Sequence, residues 1–125
     1  MNVYSKRDKT QKKYADLPIQ EPQVHERLAR SPLERLMWAT QVAADFTLPA
    51  ASVRVAVYLA HMINAKTAAA WPAIQTIAAA LTVSQSTVRN GLRSLESGGH
   101  LRIVLGGGRN RTNRYVAILK AEQKP

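Results

Sequence analysis

The chain has no cysteine, so neither a disulfide nor a thiolate-bound zinc can brace the fold. Its three histidines, His25, His61 and His100, are too scattered in sequence to suggest a local metal cluster, and neither metal nor cofactor is expected. Acidic residues are scarce, with 8 Asp and Glu against 18 Lys and Arg, giving a formal charge of +10 over 125 residues. That excess favours a polyanionic partner, either nucleic acid or an anionic surface, without choosing between them. There is no apolar run of about eighteen residues and no signal-peptide pattern, so no membrane partner is expected and a soluble cytoplasmic protein is the default. Glu34, Asp45, Glu96 and Glu122 make no paired acidic pattern beside a base, and the histidines lack a serine or cysteine arrangement. No enzyme is expected.

With 46% apolar residues, the chain can build one compact domain of roughly 90 residues plus a tail. Residues 1–30 differ from the rest: Lys6, Arg7, Lys9, Lys12 and Lys13 crowd around Asp8 and Asp16, and Pro18 and Pro22 interrupt regularity. They read as a basic, flexible N-terminal arm, followed by one domain over 31–120 and a short tail at 121–125. The arm holds 7 basic and 4 acidic residues and the remainder 11 and 4, so most of the excess lies in the folded part.

Ser31, Pro32 and Glu34 supply an N-cap, a proline at the first helical position and a capping-box carboxylate, so a helix starts there. Leu33, Leu36, Met37, Thr40, Ala43 and Ala44 recur at helical spacing as its apolar stripe, broadened by Trp38 and Val42, until Phe46 and Pro49 mark a break. A second helix, from about Pro49 to Ile63, is apolar on several faces, which places it centrally. Asn64 to Ala70 reads as a connection. Pro72 then opens a third helix to about Leu81, with Ile74, Ile77, Ala78 and Leu81 inward.

Thr82, Val83 and Ser84 form a three-residue turn, in which Val83 plugs the core and Ser84 caps the next helix by accepting from an amide near Ser86 or Thr87. That fourth helix, about Gln85 to Ser97, buries Val88, Leu92 and Leu95 and leaves Gln85, Ser86, Arg89, Asn90 and Arg93 outward. Arginine can pair bidentately with guanine, Gln or Asn with adenine, and Ser or Thr can serve a base edge or a phosphate. The same residues would also suit an ordinary solvated helix. Gly91 costs about 1 kcal/mol of helix propensity relative to alanine and is expected to permit a close crossing opposite Ala78.

Gly98 and Gly99 end that helix, and His100 to Leu105 lead into a strand. Gly106 to Gly108, Arg109, Asn110 and Arg111 form a flexible cationic tip, and Thr112 to Lys120 return as the paired strand. On it Tyr115, Ala117 and Leu119 share one face, and Val116 and Ile118 the other. The glycines lack the Lys and Ser or Thr of a nucleotide-binding loop. Arg109, Asn110, Arg111 and Arg114 instead suit DNA phosphates or a minor groove.

The run WPAIQTIAAALTVSQSTVRNGLRSLESGGHL, with the hairpin behind it, resembles bacterial winged helix-turn-helix domains, among them phage and plasmid replication-associated proteins and transcription regulators. The resemblance spans about residues 31–120. It implies a mainly α fold with a small β-hairpin, Ser84 as recognition-helix cap, and Gln85, Ser86, Thr87, Arg89, Asn90 and Arg93 at the major groove of double-stranded DNA. Arg109, Asn110, Arg111 and Arg114 fall in the wing. Thr82 stands where glycine is common, and a β-branched residue is strained at positive φ, which points to another turn geometry. Gly91 and His100 also depart from the usual pattern. The leading expectation is a transcriptional regulator binding DNA as a homodimer, with the face of Leu33, Leu36, Met37, Trp38 and Val42 as interface. The alternatives are a DNA module working with replication proteins, and a winged protein-interaction module.

Overall fold

The computed structural model describes residues 26–107 and 112–120. The tail at 121–125, the first 25 residues of the expected arm, and Arg109, Asn110 and Arg111 of the expected tip lie outside them. Helix α1 (Pro32–Ala43) begins on a complete capping box: Ser31 Oγ accepts from Glu34 N, while Glu34 Oε1 accepts from Ser31 N (3.0 Å) and Arg30 N (2.9 Å). The amides of Ser31 and Arg30 hold the Glu34 carboxyl below its ordinary pKa. Helix α2 (Ala50–Met62) follows, then strand β2 (Ala69–Ala70), helices α3 (Ile74–Leu81) and α4 (Gln85–Ser97), and strands β3 (Leu101–Val104) and β4 (Arg114–Lys120). A further strand, β1 (Glu26–Leu28), precedes α1.

The described residues thus make a mixed α/β unit of four helices and a four-stranded antiparallel sheet, so the sheet is larger than the single hairpin expected. β4 is its centre. β3 runs along one edge, pairing Leu101 with Ala117 and Val104 with Arg114, while β1 and β2 share the other edge, at Leu28–Ile118 and Ala70–Tyr115. Strand β1 at Glu26–Leu28 lies among residues expected to belong to the arm, and Ala69–Ala70 is a strand where a plain connection was expected. Two- and three-residue strands are too short to show periodicity, and their partner lies far away in sequence.

β4 is buried on both faces. Tyr115, Ala117 and Leu119 join the main core with Trp38, Val55, Leu59, Ile77, Val88 and Leu95; Val116 and Ile118 form a second cluster with Leu28, Ala69 and Val104. Central α2 packs against α1, α3, α4 and β2.

The apolar stripe read from spacing on α1 divides: Leu33, Leu36, Met37, Thr40, Ala43 and Ala44 are exposed, and Trp38 and Val42, with Gln41, are buried. Two adjacent stripes compete on this helix, and tertiary hydrogen bonding decides between them. Trp38 Nε1 donates to His100 O (2.8 Å). Gln41 Oε1 accepts from Lys120 N, so its amide nitrogen is the donor, to Ile118 O (3.0 Å) and to His100 Nδ1 (2.9 Å). His100 Nε2 then donates to Asp45 Oδ2 (2.8 Å), whose other oxygen accepts from Thr47. His100 thus ties α1 to β4. Trp38 and Val42 also drop out of the expected dimer face, because both are fully buried within the chain itself.

Candidate nucleic-acid interface

α3 ends where Thr82 turns left-handed (φ 60°, ψ 48°), with Val83 N donating to Ala78 O (3.0 Å) and Thr82 N to Ala79 O (3.3 Å). Threonine takes the conformation usually given to glycine, so the expectation of another turn geometry is overturned. The paired bonds to the last turn of α3 hold the cap despite the β-branch. Arg54, on α2, adds a bond from Nη2 to Leu81 O (2.6 Å) at the same helix end.

Ser84, in extended conformation, accepts from Thr87 N at 3.0 Å and starts α4. The Thr87 hydroxyl lies 2.9 Å from Ser84 Oγ, so it is engaged in the cap and Thr87 is only half exposed. Val88, Leu92 and Leu95 anchor the helix in the core. Gly91 is buried too, but its close neighbour is α2: a Cβ there would lie 3.2 Å from Val55 Cγ2 and 3.5 Å from Ser52 Cα. The crossing it permits is therefore with α2, and the pairing with Ala78 expected from sequence does not occur at that position.

Gln85, Ser86, Arg89, Asn90 and Arg93 are all exposed. Arg89 Nη2 reaches Gln85 Oε1 (3.3 Å) and Arg93 Nη1 reaches Asn90 Oδ1 (3.1 Å). These are weak, solvent-facing bonds one helical turn apart, and no acid occurs between Gln85 and Arg93. The face therefore carries two arginines that pair with no carboxylate among the described residues, with Glu96 one turn beyond Arg93, on a helix that its cap and three anchors keep in place. Such a surface can donate to oxygen acceptors without first breaking an ion pair.

The hairpin base is closed by Gly106 N donating to Asn113 Oδ1 (2.9 Å). Of the expected hairpin contacts only Arg114 is described. It is partly buried at the start of β4, its guanidinium carbon 5.3 Å from the centroid of the Trp71 ring. A hollow of about 210 Å³ lies between the start of α3 and the hairpin base, lined by Pro72, Ala73, Ile74, Thr112, Asn113 and Tyr115. Burial raises the pKa of the Tyr115 phenol. Trp71 was not singled out from sequence; the signal that points to it is register, since the β2–β4 pairing carried one step on sets Trp71 opposite Arg114.

Among the described residues no group of three or more His, Cys, Asp or Glu could hold a metal ion, and no helix is long and apolar enough to cross a membrane. Comparison of the chain with protein-family models, with curated proteins and with solved structures returns no match.

Proposed function

We propose that this chain is a winged helix-turn-helix protein that binds double-stranded DNA sequence-specifically, acting in the cytoplasm as a transcriptional regulator. α4 is its reading element and the β3–β4 hairpin its wing. The observation that carries the reading is the outward face of α4: Gln85, Ser86, Arg89, Asn90 and Arg93 exposed together, its arginines in no ion pair among the described residues, on a helix held by Ser84 and three buried anchors. Those side chains offer the donors that major-groove base edges accept, and the excess of cations supplies the phosphate attraction. Ser84 serves as cap, Thr87 contributes chiefly through that cap, and Arg109, Asn110, Arg111 and Arg114 contact the backbone from the wing.

A homodimer fits the same reading, because one recognition helix covers only a short site. Leu33, Leu36 and Met37, 65%, 63% and 38% exposed on α1, are the apolar surface left for it. Binding of duplex DNA across a salt series tests the proposal. Affinity should fall steeply and log-linearly with salt as counterions are released, and a flat response would remove nucleic acid as the partner.

A further inference from the structure

Arg114 opens β4, at the mouth of the β3–β4 hairpin. β4 alternates faces, so Arg114 shares a side of the sheet with Val116 and Ile118, at the end where the chain enters the β3–β4 loop. It pairs across to Val104 on one edge. On the other, the register of Ala69–Val116 and Ala70–Tyr115 brings it level with Trp71. The guanidinium lies over the indole within cation–π range, 5.3 Å from the centroid, and Trp71 is 45% exposed. Arg114 Nη1 is buried and has no hydrogen-bond partner among the described residues.

A buried guanidinium N–H without an acceptor is costly, and folds seldom keep one. The cation–π contact with the indole satisfies none of the guanidinium N–H groups, which lie along its edge. The acceptor geometry that best fits such an edge is a pair of anionic oxygens, as a phosphate provides. Resting on the DNA-binding reading above, we propose that Trp71 and Arg114 form a phosphate-binding unit for the nucleic-acid backbone. Arg114 donates to the phosphate, and Trp71 is the positioning residue that holds the guanidinium at the loop end of the sheet. Nη1 is out of contact with solvent in the free chain, so a phosphate reaches it only if the Arg114–Trp71 pair shifts. Binding must therefore change the surroundings of the Trp71 ring.

The two tryptophans make this measurable. Trp38 is fully buried and its Nε1 is bonded to His100 O, so it is insulated from a surface ligand. Titration of the full chain with a short mixed-sequence duplex, followed by intrinsic fluorescence and independently by anisotropy of labelled DNA, should show an emission change that saturates with binding. Trp71→Phe should lose that change while keeping most of the affinity, because a phenyl ring still backs the guanidinium. Trp71→Leu and Arg114→Gln should each weaken binding roughly three- to tenfold, and the double variant should be no weaker than Arg114→Gln alone. Emission that stays constant while the anisotropy shows a complex overturns the unit and leaves DNA binding standing, as does Trp71→Leu with wild-type affinity or with effects that simply add to those of Arg114→Gln. No duplex binding by the unaltered chain overturns the DNA reading and this inference with it. The emission test uses the native protein, so it decides even if Trp71→Leu fails to fold.

Discussion

Arg35 and Arg54 spend their charge on the fold, whereas Arg89 and Arg93 do not. Arg35 Nη1 donates to Ile63 O (2.7 Å) and Arg54 Nη2 to Leu81 O (2.6 Å), each tying off the carbonyl end of a helix. Lys120 Nζ does the same for Gly98 O, and Arg30 Nη1 donates to Lys66 O in the turn before β2. These cations answer the negative ends of helices and turns, where carbonyls would otherwise lack donors. On α4 the arginines bond, among the described residues, only to amide side chains of their own helix. Net charge alone cannot separate the two sets, because a formal charge of +10 counts a carbonyl clamp and an open contact surface alike. What separates them is the partner each cation already has.

The strongest way to sharpen that comparison is to break a buried polar link and ask whether stability and binding move separately. Gln41→Leu would leave Ile118 O, Lys120 N and His100 Nδ1 without their partner. The expected cost is about 2–4 kcal/mol in a urea melt, with duplex affinity per folded molecule unchanged. Next come the clamps: Arg35→Ala and Arg54→Ala should each lose about 1 kcal/mol in the same melt, the lower end for charged hydrogen bonds because Arg54 is exposed. Neither should alter discrimination between target and scrambled duplex. If a clamp variant loses discrimination while keeping its stability, the division of the arginines is wrong.

The smallest effect concerns pH. His100 first, then Thr47, hold the Asp45 carboxyl below its ordinary value of about 3.9. A depressed carboxyl stabilises the fold above its unfolded pKa, and that contribution fades as pH falls through the lower, folded value. Urea midpoints should therefore drop as pH falls below about 4, toward the lower folded value, and Asp45→Asn should flatten the drop. An identical profile for wild type and variant would show that the bond to His100 contributes nothing to the acid response.

Local chemistry was legible in the sequence, and choices made by distant partners were not. Ser31 with Glu34, and Ser84, announce helix starts because a cap bonds within three residues of itself. The anchors Val88, Leu92 and Leu95 follow from spacing alone, and so does the outward face opposite them. Helix α1 is the contrary case: its sequence offers two neighbouring apolar stripes, and the bonds of Trp38 and Gln41 to residues around sixty to eighty positions away choose between them. β1 and β2 escape for the same reason, since three and two residues carry no period and only β4 defines them. Thr82 shows a weak local preference yielding to context: propensity argues against a left-handed β-branched residue, yet two bonds to the end of α3 hold it there. Trp71 was hidden because its partner, Arg114, lies across the sheet.

The central claim is that α4 reads sequence with cations the fold has left uncommitted. Once a target site has been selected from random duplexes, the ratio of its affinity to that of a scrambled duplex, measured for wild type, Arg89→Ala and Arg93→Ala, tests it most directly. Thermal melts should stay within about 0.5 kcal/mol of wild type, as for surface changes that break no structural bond. The affinity ratio should shrink by about 1–3 kcal/mol in at least one variant, as expected for losing a base-edge contact. If both variants keep the full ratio, or lose affinity for both duplexes equally, α4 does not read sequence and the account fails.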